Sequence, residues 1–145
     1  MKEYTHLIGH EFPGGRYRLP EYLSWLWADT VLAEQDPDAA HPGLAYFVGL
    51  QGAGVSIQEI FDLLDATADS GVMFGEYQLE LSAPLRPQVT YVVMGQITDV
   101  VRKEGKRAGV FDRVTFILEL REEDGGAEPV ARTTNTWIFP RKEAA

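Results

Sequence analysis

The sequence contains no cysteine, only three histidines, which are dispersed, and no long apolar run. Without cysteine there is no disulfide and no thiolate zinc site, and such a composition suits a reducing compartment, so we expect a cytoplasmic protein. No segment approaches the roughly 18 consecutive apolar residues that a membrane-spanning helix needs, and the first residues do not resemble a signal peptide. The sequence therefore predicts neither a membrane anchor nor a metal centre.

Positive charge is also scarce: 13 lysines and arginines stand against 22 acidic residues, which gives a formal net charge of −9. A surface with this excess of negative charge repels nucleic acids and anionic membranes, so neither is expected as a partner. The chain does have apolar content, since 45% of its 145 residues are hydrophobic and 11% are aromatic. This composition predicts one domain over residues 1–145 with a real core, and a frayed tail over 141–145.

The first half of the sequence predicts helices separated by irregular chain. Apolar residues at helical spacing predict a helix from about residue 20 to 35. Several glycines and prolines follow, and they indicate a loop over residues 35–54. Ser56 and Glu59 have the spacing of a capping box, which predicts a second helix over residues 55–68.

The second half of the sequence predicts strands. Apolar and polar residues alternate most clearly between Val114 and Leu120, which indicates a strand with one buried face. The connections between successive runs are short, so we expect each strand to pair antiparallel with the next one along the chain. The four predicted strands cover residues 72–82, 89–102, 108–122 and 129–139.

A helix that precedes an antiparallel sheet must bury its apolar stripe against one face of that sheet. The sequence therefore predicts an α+β protein with a single hot-dog domain, in which the helix over residues 55–68 is the central helix and the sheet wraps around it. A sheet of this kind leaves an edge exposed, and two copies commonly pair their edges. We expect a homodimer or a higher homo-oligomer.

Asp36 and His41, with four residues between them, are the strongest candidates for catalysis. A carboxylate and an imidazole in one short loop can hold a water molecule, which the carboxylate deprotonates while the imidazole orients it. The same residues also suit an ordinary turn at the end of a helix, because Asp-Pro-Asp is common in turns. The spacing alone does not decide between these interpretations.

The chain resembles the MaoC-like hydratases and dehydratases, which act on acyl thioesters. The resemblance rests on Ile8-Gly9, on the Asp36 to His41 spacing, on the segment LQGAGVS and on the segment LSAPLRPQVTY. The active-site motif of that family is Asp-x-Asn-Pro-x-His, and Asp36 and His41 match its two catalytic positions. Asp38 stands where the family usually has Asn, and Ala39 where it usually has Pro, so the motif carries an extra negative charge here.

The resemblance also implies a donor for the thioester carbonyl. In the family a His-Gly pair leads into the central helix, and its backbone N–H polarises the carbonyl. Gln51-Gly52 is the best match in this sequence, with Gly54 as the alternative register, and a plain turn is the other interpretation. The segment between His41 and these glycines is shorter than in the family, which argues against long-chain substrates.

Arg86, Arg102 and Lys103 lie at predicted strand ends in an otherwise acidic chain. One interpretation is a patch that binds the phosphates of coenzyme A, and the other is that these residues are solvated hairpin ends. No cofactor is implied, because the substrate itself is a thioester of coenzyme A or of an acyl carrier protein.

The activity that the resemblance implies is hydration of 2-enoyl thioesters, or dehydration of 3-hydroxyacyl thioesters, with Asp36 and His41 activating water. Two alternatives share the same fold. The chain could be a non-catalytic subunit of a heteromeric dehydratase that pairs with another hot-dog chain, or a hot-dog acyl-CoA thioesterase. Fold alone does not choose among them.

Overall fold

A computed structural model of the chain describes residues 1–142, in which three α-helices and five β-strands form one domain. The last three residues of the predicted tail, 143–145, lie outside the described residues, and Arg141 itself belongs to the final strand. Short 3-10 turns also occur at Thr5–Leu7 and Ala68–Ser70. The main elements, in chain order, are β1 (Gly15–Arg18), α1 (Glu21–Thr30), α2 (Leu44–Gly52), α3 (Ile57–Leu63), β2 (Met73–Leu81), β3 (Thr90–Gly105), β4 (Gly109–Glu122) and β5 (Ala131–Arg141).

All strands pair antiparallel in one sheet with the order β1-β3-β4-β5-β2. The predicted pairs β3–β4 and β4–β5 are confirmed, but the predicted pairing of β2 with β3 is wrong, because β2 lies at the far edge beside β5. Residues 82–89 must therefore cross the end of the sheet past two strands, a distance of roughly 14 Å at the usual strand spacing. Eight extended residues easily cover that distance.

The central helix is α2, so the prediction of a loop over residues 35–54 and of a central helix over residues 55–68 is wrong. The helix packs mainly against β1, β3, β4 and β5. Its buried positions include two glycines, and a side chain on Gly49 would lie 3.2 Å from Leu118. Glycine here serves close packing of a helix on a sheet rather than a turn. The buried residues of α2 are Leu44, Ala45, Val48, Gly49 and Gly52.

The flanking helices are shorter than the sequence predicts. The first helix, α1, ends at Thr30, and Leu32 just beyond it has a left-handed φ of 58°, which stops the helix. The capping box at α3 is confirmed: the Ser56 hydroxyl accepts a hydrogen bond from the Glu59 N–H at 3.0 Å, and the Glu59 carboxylate accepts one from the Ser56 N–H at 3.2 Å. α3 covers the end of the core, where Phe61 packs edge to face on Trp137.

The core lies on the concave face of the sheet, under α2 and α3. The alternation predicted between Val114 and Leu120 is confirmed, since both of these residues and the even-numbered positions between them are buried. Phe116 packs edge to face on Trp137, with ring centroids 4.9 Å apart. The predicted fold class, a single α+β domain with a helix wrapped by an antiparallel sheet, is confirmed. No helix within residues 1–142 is both long and apolar enough to cross a membrane.

The edge strand β2 presents aromatic side chains toward α2. A bulge at Gly75 shifts the register of β2 against β5, so that Phe74 and Tyr77 lie on the same face of the sheet. Phe74 is 60% exposed and Tyr77 is 41% exposed. The Tyr77 ring packs edge to face on Tyr46 of α2, and burial together with this neighbour raises the pKa of Tyr77 to about 12. In the described part of the chain, no strand pairs with the outer edge of β2.

Candidate functional site

Asp36 and His41 line one cavity of about 210 Å³. The cavity lies between α1, the loop that follows α1, and the start of α2. It therefore sits at the N-terminal end of the central helix, where the helix dipole is positive. The other residues that line it are Ser24, Ala28, Glu34, Gln35, Ala39, Ala40 and Pro42.

Asp36 is exposed, and it also forms the turn that the sequence allows. Its Oδ1 atom accepts a hydrogen bond from the backbone N–H of Asp38 at 2.9 Å. Asp38, in the position where the MaoC-like family usually has Asn, thus supports Asp36 through its backbone, and its own side chain is exposed. Asp36 therefore has one carboxylate oxygen fixed by the turn, and the side chain remains at the surface of the cavity.

His41 is partly buried and lies just before the start of α2. Its Nδ1 atom accepts a hydrogen bond from the backbone N–H of Gly43 at 3.0 Å, and its carbonyl accepts one from the N–H of Leu44. Because Nδ1 is an acceptor, the proton of the neutral imidazole is on Nε2. His41 is thus set up to donate a hydrogen bond from Nε2.

Asp36 and His41 share the cavity without touching each other. Within residues 1–142 neither a hydrogen bond nor an ion pair joins the two side chains. The cavity volume corresponds to several water molecules at about 30 Å³ each. The arrangement leaves space for a water molecule and part of a substrate between a proton acceptor and a hydrogen-bond donor.

Ser24 lines the same cavity, and sequence reasoning missed it. It is only 5% exposed, and it also lines a second cavity of about 170 Å³, which shares Gln35 and Asp36 with the first. The available signal was the pair Ser24 and Ala28, two small residues four positions apart on a helix rich in large aromatic residues. Small side chains on one helix face leave a cavity beside that face.

Both cavities are acidic. Glu34 and Asp36 line the first cavity, and Glu21 and Asp36 line the second. No lysine or arginine is among the described residues that line either of them. This lining favours an uncharged ligand group over an anionic one such as a phosphate.

The loop that carries the candidate site rests on the segment that crosses the sheet. The backbone N–H of Ala40 donates a hydrogen bond to the carbonyl of Leu85 at 2.7 Å, and both residues are buried. The crossing segment is held in turn by Tyr91, whose hydroxyl accepts a hydrogen bond from the N–H of Arg86 at 2.7 Å. The position of His41 thus depends on residues 82–89.

The structure does not support Gln51, Gly52 and Gly54 as the carbonyl-binding site. Gly52 is the last residue of α2, so it lies at the negative end of the helix dipole, roughly 13 Å from the helix start. It is buried against Val93, and a side chain on Gly54 would collide with the carbonyl of Gly14. The prediction failed because these residues end the central helix instead of leading into it.

The three basic residues predicted to bind coenzyme A do not form one patch. Arg86 precedes the start of β3 and Arg102 lies near its end, roughly 40 Å away at the rise of a strand. Arg86 is paired with Glu122 through two hydrogen bonds, of 3.1 and 2.8 Å. Arg102 is paired with Asp112, and the neighbouring Lys103 is exposed. Among the described residues no group of three histidine or acidic side chains is placed to bind a metal ion.

Comparison with solved structures shows the fold of the chain. It is similar to the ChsH1–ChsH2 complex from Mycobacterium tuberculosis (TM-score 0.68, 15% identity, covering 97% of this chain and 89% of that one). It is also similar to the (3R)-hydroxyacyl-ACP dehydratase HadBC from the same organism (TM-score 0.65, 16% identity, 94% and 99% covered). An (R)-hydratase from A. caviae matches with a TM-score of 0.54 and 11% identity, with 92% of this chain and 96% of that chain covered.

These matches define the chain as a hot-dog domain. The resemblance to MaoC-like proteins is confirmed among its structural neighbours, which include a MaoC-like dehydratase from Rhodospirillum rubrum, and hot-dog proteins of other activities match too, such as a putative thioesterase from Pseudomonas putida. No family model matches the sequence, and no curated protein matches it. At identities of 11–17% the neighbours show the fold and leave the reaction to be argued from the site.

Proposed function

We propose that this protein hydrates 2-enoyl thioesters, or dehydrates 3-hydroxyacyl thioesters in the reverse direction. The observation that carries the proposal is that Asp36 and His41 line one cavity at the N-terminal end of the central helix of a hot-dog domain. The solved neighbours include dehydratases and a hydratase, which supports the same reaction class. No cofactor takes part, because the thioester itself activates the double bond.

In the hydration direction Asp36 is the proton acceptor. It takes a proton from water while the water oxygen bonds to C3, and the electron pair of the C2–C3 double bond moves toward the thioester oxygen. The proton on Asp36 then passes to C2, and the carbonyl is restored. By the family resemblance the product is the (3R)-hydroxyacyl thioester. Dehydration follows the same steps in reverse.

His41 holds the water, and α2 stabilises the enolate. The Nε2–H of His41 donates a hydrogen bond to the water oxygen, a role that its tautomer permits. The N–H groups of Gly43 and Leu44 are already engaged with His41. These two N–H groups therefore cannot donate directly to the thioester oxygen. What α2 contributes is the positive end of its dipole, which stabilises the negative charge that develops on that oxygen.

The substrate has a short acyl group. The central helix begins within three residues of His41, so the chain has no segment there that could cover a long acyl tunnel. The cavity of about 210 Å³ is also smaller than the range of about 300–1,000 Å³ that is usual for ligand pockets. Crotonyl-CoA is the test substrate that fits these limits.

The experiment is a hydratase assay on three matched variants, monitored by loss of the enoyl thioester absorbance. Asp36→Asn keeps the oxygen that accepts from Asp38 and removes the charge, and His41→Ala removes the imidazole. We expect each variant to lower the rate of crotonyl-CoA hydration by about 100-fold or more. Asp38→Asn, which creates the residue usual in the family, should keep nearly full activity. Wild-type turnover in both Asp36→Asn and His41→Ala would end the proposal.

Thioester hydrolysis is the second candidate, because two structures described as putative thioesterases are among those that the chain matches. Hydrolysis releases free coenzyme A, whose thiol reacts with a disulfide reagent. Hydration leaves the thioester intact. Both reactions remove the enoyl thioester chromophore, so thiol release is the discriminating signal. We expect loss of enoyl absorbance without thiol release, and thiol release in step with the loss of absorbance would identify a thioesterase.

We further propose that the active form is a homodimer joined through the outer edge of β2. That edge is unpaired in the described chain, and the exposed side chains of Phe74 and Tyr77 lie beside it. Two neighbours are complexes of hot-dog chains, ChsH1–ChsH2 and HadBC, so another hot-dog chain is the alternative partner. Light scattering on the purified chain measures its mass and so distinguishes a homodimer from a monomer. An inactive monomer that gains activity only with a second hot-dog chain would favour the non-catalytic subunit.

A further inference from the structure

We propose that Gly43 and Trp27 are positioning residues for His41: together they fix its imidazole as the Nε2–H tautomer and set the direction of Nε2. This inference rests on the proposed function for its catalytic meaning. The placement of the ring itself is a property of the folded chain, and it can be measured without any substrate.

Gly43 is a glycine because of space. Its backbone angles, φ −57° and ψ −25°, are ordinary helical values that any residue adopts. A Cβ atom at this position would lie 3.1 Å from Nδ1 of His41, 3.0 Å from Nε1 of Trp27 and 3.1 Å from Cζ2 of Trp27. These distances are shorter than ordinary van der Waals contact. Any side chain here would push the imidazole and the indole apart.

The same residue supplies the hydrogen bond that selects the tautomer. The N–H of Gly43 donates to Nδ1 of His41 at 3.0 Å, so the ring approaches the backbone closely. This bond forms only if Nδ1 carries no proton. A larger residue at position 43 would keep the backbone N–H but would displace Nδ1 of His41. Such a variant therefore tests the space that glycine leaves, because the hydrogen-bond donor is unchanged.

The indole ring of Trp27 also packs against Gly43. It belongs to α1 and packs against the hydrophobic core, which limits how far the indole can retreat. Its Nε1 atom is buried and has no hydrogen-bond partner within the described residues. A buried N–H without an acceptor costs about 1–3 kcal/mol. The packing of the indole against the core must outweigh this loss for the ring to stay where it is. Nε1 of Trp27 and Nδ1 of His41 lie on the same side of Gly43, 3.0 and 3.1 Å from the position of a Cβ atom there, so a donor on the indole makes a second proton at Nδ1 less favourable.

As a consequence, His41 and Asp36 have different roles in the cavity. With Nδ1 held by Gly43, His41 offers only a donor at Nε2, and Asp36 is left as the acceptor for the proton of the water. Displacement of the ring would allow the other tautomer, in which Nε2 is an acceptor and competes with Asp36. Gly43 and Trp27 thus act on the reaction through His41 without touching the substrate.

The first measurement is the tautomer of His41, read from long-range proton–nitrogen correlation spectra of the imidazole near pH 8. We expect the wild type to carry the proton on Nε2 and the Gly43→Ala variant to shift toward Nδ1–H. Trp27→Ala, which removes the indole, should shift in the same direction, and Trp27→Phe, which keeps a ring without the N–H, should shift less. Gly126→Ala is the matched control, because a Cβ there meets no atom within 4 Å.

The second measurement is crotonyl-CoA hydration by the same variants. Displacement of a catalytic group costs up to about 100-fold, so we expect kcat of Gly43→Ala to fall by about 10- to 100-fold with little change in KM. A purely structural role for Gly43 would lower the melting temperature and leave the tautomer and the kcat of the folded protein unchanged. That result, or a wild-type His41 with its proton on Nδ1, would overturn the proposal.

The two measurements separate the possible failures. If Gly43→Ala does not fold, the Trp27→Phe and Trp27→Ala spectra decide, and a wild-type tautomer in both overturns the proposal. If the wild type hydrates no thioester but the tautomer shifts as expected, the proposed reaction is wrong and the positioning of His41 stands.

Discussion

The guanidinium group of Arg141 on β5 reaches the buried carboxylate of Asp112 on β4, with Nε 2.7 Å from Oδ2. Arg141 also donates a hydrogen bond to the carbonyl of Leu64 at the end of α3 and stacks over the ring of Tyr4 at 4.2 Å. Arg102 on β3 donates two hydrogen bonds of 3.0 Å to the same carboxylate. Asp112 thus joins three strands, and Arg141 links them to α3 and to the start of the chain.

Replacing Asp112 should destabilise the fold. Asp112→Asn removes the charge that both guanidinium groups share, and breaking a buried ion pair on one side costs about 3 kcal/mol. Chemical denaturation measures the free energy of unfolding, and Asp124→Asn in an exposed turn is the control. A loss of unfolding free energy below about 1 kcal/mol would show that Asp112 contributes little to the stability of the fold.

The contribution of Asp112 should disappear in acid. Burial alone would raise the pKa of Asp112, but the hydrogen bonds from Arg102 and Arg141 outweigh it and hold the pKa below its usual value. A depressed carboxyl pKa adds stability above the unfolded value of about 3.9, and that stability is lost as the pH falls through the folded value. The difference in unfolding free energy between wild type and Asp112→Asn should shrink from about pH 6 to about pH 3. A difference that does not depend on pH would contradict this explanation.

The capping box of α3 gives a prediction with a conservative control. Ser56→Ala removes the side chain that accepts from the N–H of Glu59 and should lower the free energy of unfolding by about 1 kcal/mol. Glu59→Gln keeps a side chain that can accept from the N–H of Ser56, so it should change stability little. Thermal or chemical unfolding of the two variants tests this. Wild-type stability in Ser56→Ala would show that the box does not hold the start of α3.

Gly52 should matter for packing and not for catalysis. A methyl group at this position collides with the side chain of Val93, and overpacking of a core typically costs about 1–3 kcal/mol. Gly52→Ala should therefore unfold more easily than Gly126→Ala, while the folded fraction hydrates crotonyl-CoA at nearly the wild-type rate. A large loss of kcat without loss of stability would instead support the predicted role of Gly52 in binding the thioester carbonyl.

The dimer proposed through β2 should be sensitive to charge on one face of the strand. Tyr77 and Gln78 are neighbours that face opposite sides of the sheet, and Tyr77 is the one beside α2. Tyr77→Lys would bury a charge in the interface and should raise the dimer dissociation constant by about 10-fold or more, whereas Gln78→Lys should not. Sedimentation or light scattering over a range of concentrations measures both constants. Wild-type constants in both variants would exclude β2 as the interface.

The sheet was predictable because its signal is local. Apolar residues alternate from Val114 to Leu120, and one period of two residues defines the buried face. The neighbour of β2 was not predictable in this way, because the short connection over residues 82–89 fits a hairpin as well as a crossing. Only the packing of the whole sheet decides which strand lies beside β2.

The central helix was missed because a largely buried helix has almost no polar face. Residues 44–50 form a continuous apolar run, which has no helical period to read, and Gly49 and Gly52 suggest turns. In the structure these glycines allow close contact with β4 and β3. Asp36 and His41 could be proposed because they lie in one short loop, whereas the supporting residues Ser24 and Gly43 act through contacts that only the fold creates.

The hydrogen bond between Ala40 and Leu85 joins the candidate site to the strand at the sheet edge. Leu85 belongs to the segment that continues directly from β2, and Ala40 immediately precedes His41. Residues 82–85 and this hydrogen bond therefore form a short connection between β2 and the loop of Asp36 and His41. Thermodynamic linkage then requires reciprocity: if dimerisation raises the affinity for a thioester by some factor, the thioester strengthens the dimer by the same factor.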